Sequence, residues 1–161
     1  MAVARGVDLK AAVAVAGTWG TLASDPTTDA LMPLISSTVK ESRELITNEE
    51  LRDVHMRGAS AGGSRMVEGT WTKHLHYQGE EILHAAAFGT YAPTQVGTTP
   101  YYTNRATSAS SLQGTFLSLF EDRETSTWEI DSAKVNQVTV SGSTGQRIQV
   151  AYDLMGRALA T

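Results

Sequence analysis

The stretch VNQVTVSGSTGQRIQVAYDLMG, residues 135–156, lies near the end of this chain of 161 residues. Its second half alternates apolar with polar or small side chains, which is the period of a strand with one buried face. Glycine and serine within residues 142–145 supply a turn between two such runs. The stretch therefore predicts a β-hairpin, and it holds no evident nucleophile, metal cluster or phosphate loop. The apolar face of the second strand carries Ile148, Val150, Tyr152 and Leu154.

Strand signals recur at short intervals along the rest of the chain. Residues 31–46 are predicted to be extended and, after Ile35, mostly polar on both faces, whereas residues 90–100 are predicted to form a loop. About seven short strands with one helix indicate a mainly β fold, a β-sandwich or barrel with the helix packed on one side. The predicted strands are residues 9–16, 66–77, 101–108, 113–121, 126–131, 134–141 and 147–156.

The predicted helix covers residues 79–89, GEEILHAAAFG, where the apolar period changes from two to that of a helix. Two acidic residues lie in its first turn, where the helix dipole favours negative charge. Gly89 suits the position that follows a helix end. The apolar stripe that would face the core consists of Ile82, Leu83, Ala86 and Ala87.

Residues 54–65 are rich in glycine, alanine and serine and lack apolar periodicity. Such a composition predicts a loop that is mobile or that becomes ordered on assembly. The residues assigned to this assembly loop are Val54, His55, Met56, Arg57, Gly58, Gly62, Gly63 and Arg65.

Composition narrows the class of protein. The length fits a single domain, residues 1–161, and the absence of cysteine excludes disulfides and thiolate metal sites. The net charge is −4, and no two Lys or Arg residues are adjacent, which is a poor basis for gripping nucleic acid. No apolar run approaches the ~20 residues that a membrane helix needs, and we expect no membrane partner and no secretory signal.

The strongest motif for a metal site is the pair His74 and His76. Residues two apart on a strand point the same way, so the two imidazoles could chelate one ion, with Glu68 on the same face. His84 and His55 could complete the ligand set. The same face is polar throughout, however, which favours ordinary solvent or interface histidines, and we assign no metal and no cofactor.

No pattern indicates catalysis, and the sequence predicts that the chain is not an enzyme. A Gly-x-Ser-x-Gly nucleophile turn does not occur. The run GASAGGS at residues 58–64 lacks the Gly-Lys-Ser/Thr of a phosphate loop and precedes a strand. Adjacent acidic pairs such as Glu80 with Glu81 diverge in direction, so we interpret them as solvated or dipole-stabilising charges.

Three segments, in this order, resemble the tail tube proteins of long-tailed bacteriophages. The first, GTWGTLASDPTTDALMPLISSTVKESRELITNEELR (residues 17–52), has an aromatic-Gly-Thr turn, a proline-bearing stretch and an extended charged segment. The second, RMVEGTWTKHLHYQGEEILHAAAFG (residues 65–89), runs from a strand directly into a short helix and a glycine. The third, KVNQVTVSGSTGQRIQVAYDLMGR (residues 134–157), is similar to the final hairpin of the family.

The resemblance implies a structural virion protein that assembles with copies of itself. It implies a β-sandwich with a flanking helix, stacked and six-fold rings, and a continuous inner β-barrel that lines a channel for double-stranded DNA, which passes without specific binding. Residues 47–65 would form the segment that reaches between subunits or rings. Other phage tail proteins would be partners, and the protein would assemble in the bacterial cytoplasm and reside in the virion tail. Many relatives carry a second similar domain that this chain does not show.

Two other functions are compatible with the sequence. One is a different neck or tail component with a related fold, such as a tail terminator or the tube of a secretion machine. The other belongs to a different class, a small cupin-like barrel that binds a metal or acts as an enzyme through His74 and His76.

Overall fold

The computed structural model describes residues 9–23, 31–47, 61–76, 79–100, 102–111, 114–123 and 126–160. These residues are mostly β, with a helix α1 at Glu81–Phe88 between the fifth and sixth strands. No helix among them is long and apolar enough to cross a membrane. The strands are β1 Lys10–Ala16, β2 Leu31–Met32, β3 Ser36–Ser37, β4 Lys40–Ile46, β5 Ala61–His74, β6 Gly89–Gln95, β7 Tyr102–Ser108, β8 Phe116–Asp122, β9 Thr127–Ser141, β10 Gln149–Gly156 and β11 Ala158–Ala160.

One antiparallel sheet contains all these strands except two. Its order is β2-β1-β8-β9-β10-β5-β3, with β11 paired to β9 and β4 paired to β5. β6 and β7 form a separate two-stranded ribbon. The predicted hairpin of residues 135–156 corresponds to the second half of β9 with β10, in which Val140 pairs with Val150 and Thr139 with Ala151.

β9 divides the sheet into two parts because it bends at Ser132, which has a positive φ of 52°. β9 pairs with β8 up to Ala133, and from Lys134 onward it pairs with β10. The two parts face each other, since the indole Nε1 of Trp71 on β5 donates a hydrogen bond of 2.5 Å to Glu121 on β8. The sequence predicted two separate strands, residues 126–131 and 134–141, where the structure has one long bent strand.

The core lies between the two parts of the sheet and is covered on one side by α1. Leu83 and Ala86 of the helix are buried, and Ile82 and Ala87 pack against the core, so the predicted stripe is confirmed. Gly89 ends the helix with a φ of 103°, and its backbone N–H donates to the carbonyl of Ala85. The largest apolar side chains of the core are Trp71, Tyr152, Leu83, Leu117, Leu119, Ile130 and Leu154.

Two predicted loops were wrong in part. Residues 90–100 were expected to form a loop, but Gly89–Gln95 is β6 and pairs along its whole length with β7. Pairing with a distant segment overrides the turn signals, and Pro93 is tolerated because a two-stranded ribbon leaves one side of each strand without a ladder. Residues 61–65 of the predicted assembly loop belong to β5, because β4 supplies their backbone partners.

Candidate functional site

The residues predicted to form the assembly loop fall in two groups. Val54, His55, Met56, Arg57 and Gly58 lie outside the described residues. The loop prediction was wrong for Gly62, Gly63 and Arg65, which lie in β5 opposite β4. Their place in a regular ladder means that this region offers a surface of defined shape. We call the ribbon formed by residues 40–46 of β4 and residues 61–68 of β5 the arm.

The arm extends beyond the core and is exposed over most of both faces. Leu45 pairs with Gly62 and Ile46 with Ala61, and these two apolar side chains are 64% and 54% exposed. Val67 is buried where the arm joins the core. A two-stranded ribbon in water is marginally stable by itself. A ribbon that carries exposed Leu and Ile at its far end therefore has the character of an interaction surface.

Gly62 leaves room for a side chain to cross the arm. The guanidinium of Arg43 lies in the space that a Cβ on Gly62 would occupy, so the arginine crosses the partner strand. Arg43 and Arg65 are direct cross-strand partners, an arrangement of like charges that is unfavourable by itself. Glu41 reduces this repulsion, since its Oε1 lies 3.6 Å from the Nε of Arg65.

The opposite end of β5 carries a second exposed apolar group. The backbone N–H of Leu75 donates to the carbonyl of Ile148 at 2.9 Å, and Val140 is the Cα partner of Val150 on the neighbouring strand. The three side chains are between 42% and 60% exposed. We call Leu75, Val140 and Ile148 the apolar end.

A buried ion pair fixes the helix to the sheet between the arm and the apolar end. The Nζ of Lys73 on β5 lies 3.0 Å from Oε1 of Glu80, and the two side chains are 2% and 3% exposed. The hydroxyl of Tyr152 donates to the other carboxylate oxygen at 2.7 Å, and the backbone N–H of His76 donates to Oε1 at 3.3 Å. Glu80 is thus buried and holds the helix to the sheet, so its interpretation as a solvated charge was wrong, and it lies at the N-cap of α1.

A second buried carboxylate, Glu121 of β8, joins the two parts of the sheet. It accepts hydrogen bonds from Trp71 and from the hydroxyl of Ser37, and Arg123 donates to it from Nε at 2.9 Å and from Nη2 at 2.6 Å. The Arg123 guanidinium also lies 3.6 Å from the ring centroid of Trp128. Sequence reasoning assigned no role to Lys73, and the interpretation of Glu121, with Asp122, as a solvated or dipole-stabilising charge was wrong because Glu121 is fully buried in a strand. The two-residue alternation that predicts Val67 and Trp71 in the core also places Lys73 on the core side, and this was the signal in the sequence that could have identified Lys73 as buried.

The histidines serve the fold differently from one another. His74 ends β5, and its Nδ1 is buried without a hydrogen-bond partner. His76 contributes its backbone N–H to Glu80, whereas the Nδ1 of His84 lies 2.9 Å from the Glu80 carbonyl oxygen. The described part of the chain contains no group of three or more His, Cys, Asp or Glu residues that could hold a metal ion. His55 lies outside the described residues.

The outward face of the central strands is polar. Residues on this face alternate with the buried ones, and cross-strand pairs such as Thr72 with Ala151 and Asp153 with Gln137 continue it from β5 through β10 to β9. The side-chain amide of Asn136 donates to Asp153 at 3.0 Å. The members of this face are Glu68, Thr70, Thr72, His74, Gln149, Ala151, Asp153, Gln137 and Thr139.

Comparison with known proteins decides what kind of molecule carries these surfaces. Residues 6–161 match the model of a family described as phage tail tube protein. The chain belongs to the phage tail tube protein family. A search among curated proteins finds no match. The family match confirms the resemblance predicted from the sequence and identifies the chain as a structural tail tube subunit.

Solved structures share the fold of this tail tube protein at low sequence identity. A chain of the PVC sheath-tube complex, an extracellular contractile injection system in its extended state, is 12% identical with a TM-score of 0.55, covering 98% of this chain and 90% of that one. A chain of the anti-feeding prophage baseplate is 7% identical with a TM-score of 0.56, and the match covers 99% of this chain and 95% of that one. A chain of the anti-feeding prophage tube-terminating cap is 11% identical with a TM-score of 0.55, and the match covers 99% of this chain and 91% of that one. The mainly β fold with one helix is therefore confirmed as tail-tube-like.

Proposed function

We propose that this tail tube protein polymerises into stacked six-fold rings whose strands combine into a continuous inner β-barrel. The observation that carries the proposal is the arm, which places Leu45 and Ile46 in solvent on a ribbon that its own core does not cover. Burying a side chain of this size contributes about 1.5–3 kcal/mol, which the isolated subunit forgoes. A neighbouring copy that covers the arm recovers this free energy.

The borders of the sheet support the same proposal. β2 pairs only with Ala11 and Ala12, so the outer edge of β1 from Val13 to Ala16 has no strand partner in the described residues. Unpaired edges invite pairing with another chain, and closure into a barrel removes them. Heterologous contacts between identical subunits generate rings when the rotation closes.

The polar face of β5, β10 and β9 suits the wall of a DNA channel. It carries hydroxyls and amides, together with Glu68 and Asp153, and the whole chain has a net charge of −4. Phosphates repelled by like charge do not remain bound to such a wall, so double-stranded DNA would pass without specific binding. We assign this face to the channel, with no catalytic role, in a tube built in the bacterial cytoplasm and carried in the virion tail among other tail proteins.

Size-exclusion chromatography with light scattering, followed by negative-stain microscopy at high concentration, tests the proposal. The expected result is rings or tubes with an open centre, in equilibrium with monomer on dilution. A Leu45→Ser, Ile46→Ser double variant is the matched control, because it removes apolar surface from the arm without touching the core. A wild-type chain that stays a sharp monomer at every concentration would contradict the proposal.

A further inference from the structure

The two exposed apolar groups lie at opposite ends of one strand. Leu45 is the cross-strand partner of Gly62 near the start of β5, and Leu75 follows the end of β5 beside Ile148. The run from Gly62 to Leu75 spans about 40 Å at ~3.3 Å per residue. The arm and the apolar end of one copy therefore cannot reach each other, whereas the two ends of different copies can.

Each group is accompanied by a charge, and the two charges are opposite. Glu44 precedes Leu45 in the arm, and Arg147 precedes Ile148 at the apolar end. Both charged residues are exposed, and neither makes an ion pair within the part of the chain that the structure describes. Glu44 and Arg147 can therefore attract each other across a contact between the two apolar groups, while the arm also carries Arg43 and Arg65.

The two surfaces also agree in which side of the sheet each side chain occupies. Glu41 pairs with buried Val67, so Leu45, four residues further along β4, lies on the core side, and Glu44 lies on the outer side. Ile148 shares the core side with buried Val150, which leaves Arg147 on the outer side. In a contact between the two surfaces, Leu45 can therefore face Ile148 on the core side while Glu44 faces Arg147 on the outer side.

We propose that the arm of one copy packs on the apolar end of the next, with Leu45 against Leu75, Val140 and Ile148, and with Glu44 facing Arg147. This assignment rests on the proposed self-assembly and specifies the pair of surfaces that it uses. The contact is heterologous, because it joins opposite ends of identical subunits, and it therefore propagates from copy to copy. The occupant of the apolar end is a second copy of this chain.

Cysteine crosslinking tests the contact directly, because the chain has no cysteine of its own. In a Leu45→Cys, Ile148→Cys chain, a short bismaleimide added to assembled protein should give a ladder of covalent multimers on a denaturing gel. The two single-cysteine variants are the controls, and neither should give a species larger than a dimer. Normal tubes that yield no ladder would overturn the contact and leave self-assembly standing. A wild-type chain that never forms rings or tubes would overturn both.

Charge exchange provides a second test that does not depend on crosslinking geometry. Glu44→Arg or Arg147→Glu should each raise the lowest concentration at which assemblies form by about fivefold, the scale expected for turning an exposed attraction into a repulsion. The double exchange should restore most of the wild-type value, whereas Arg105→Glu, a reversal at an exposed position of β7, should change it little. A double exchange that assembles no better than the worse single variant would overturn the proposed pairing.

Discussion

Replacing Lys73 by Met should destabilise the subunit far more than a surface substitution would. The change keeps most of the apolar stem and deletes the ammonium that lies 3.0 Å from Glu80. Glu80 would then be a buried carboxylate whose partners are the Tyr152 hydroxyl and the backbone N–H of His76. Leaving a buried charge without its counter-ion costs about 3–5 kcal/mol.

This loss corresponds to a fall in Tm of roughly 6–20 °C, since 1 kcal/mol shifts Tm by about 2–4 °C in a domain of this size. Adding Glu80→Gln to Lys73→Met should recover at least about 1 kcal/mol, because a neutral amide still accepts the Tyr152 hydroxyl without a charge to compensate. The two substitutions are therefore strongly non-additive.

Urea unfolding of dilute protein, followed by tryptophan fluorescence, gives the free energies of unfolding. The concentration must lie below that of assembly, because assembly stabilises the folded subunit by mass action. Lys40→Met is the matched control, since Lys40 is exposed and should change stability by less than about 0.5 kcal/mol. A loss below about 1 kcal/mol for Lys73→Met, with additive effects in the double variant, would refute the assigned role of the ion pair.

Three further predictions follow from other parts of the structure. Glu121→Leu should cost about 2–4 kcal/mol in urea unfolding, because it leaves a buried indole N–H and an arginine without their acceptor; a neutral result would contradict the network. Gly69→Ala should cost about 2–4 kcal/mol, because Gly69 has a φ of 154° and a Cβ there would meet the backbone of Val39. A His74→Ala, His76→Ala chain should still form tubes by negative-stain microscopy, and loss of a bound metal measured by elemental analysis would disprove the structural interpretation of these histidines.

The sequence determines most of the fold where burial alternates regularly. The two-residue period of Ile148, Val150, Tyr152 and Leu154 predicted β10, and three of these four side chains are buried. The helix was predicted because its stripe, first turn and terminal glycine agree on one element. Local pattern was sufficient in both cases because each segment buries one continuous face.

Sequence reasoning failed where distant pairing decides the structure. The first residues of β5 have an exposed, irregular pattern and the sequence of β6 carries turn signals, and only their ladders with β4 and β7 make them strands. The buried charges of Lys73 and Glu80 could not be paired from the sequence, because the partners belong to a strand and to the start of the next helix. The arm and the apolar end could be identified only from the structure, because their definition depends on the register of the strands and on the exposure of the side chains.

A cryo-EM map of the assembled protein, resolved well enough to trace strands, would show directly whether the subunits close their sheets with one another. We predict a hollow cylinder in which the edge strands of each subunit are hydrogen-bonded to neighbouring copies and the polar face of β5, β10 and β9 borders the channel. A particle in which every sheet edge is covered by its own chain, or a cylinder with that polar face outside, would contradict it.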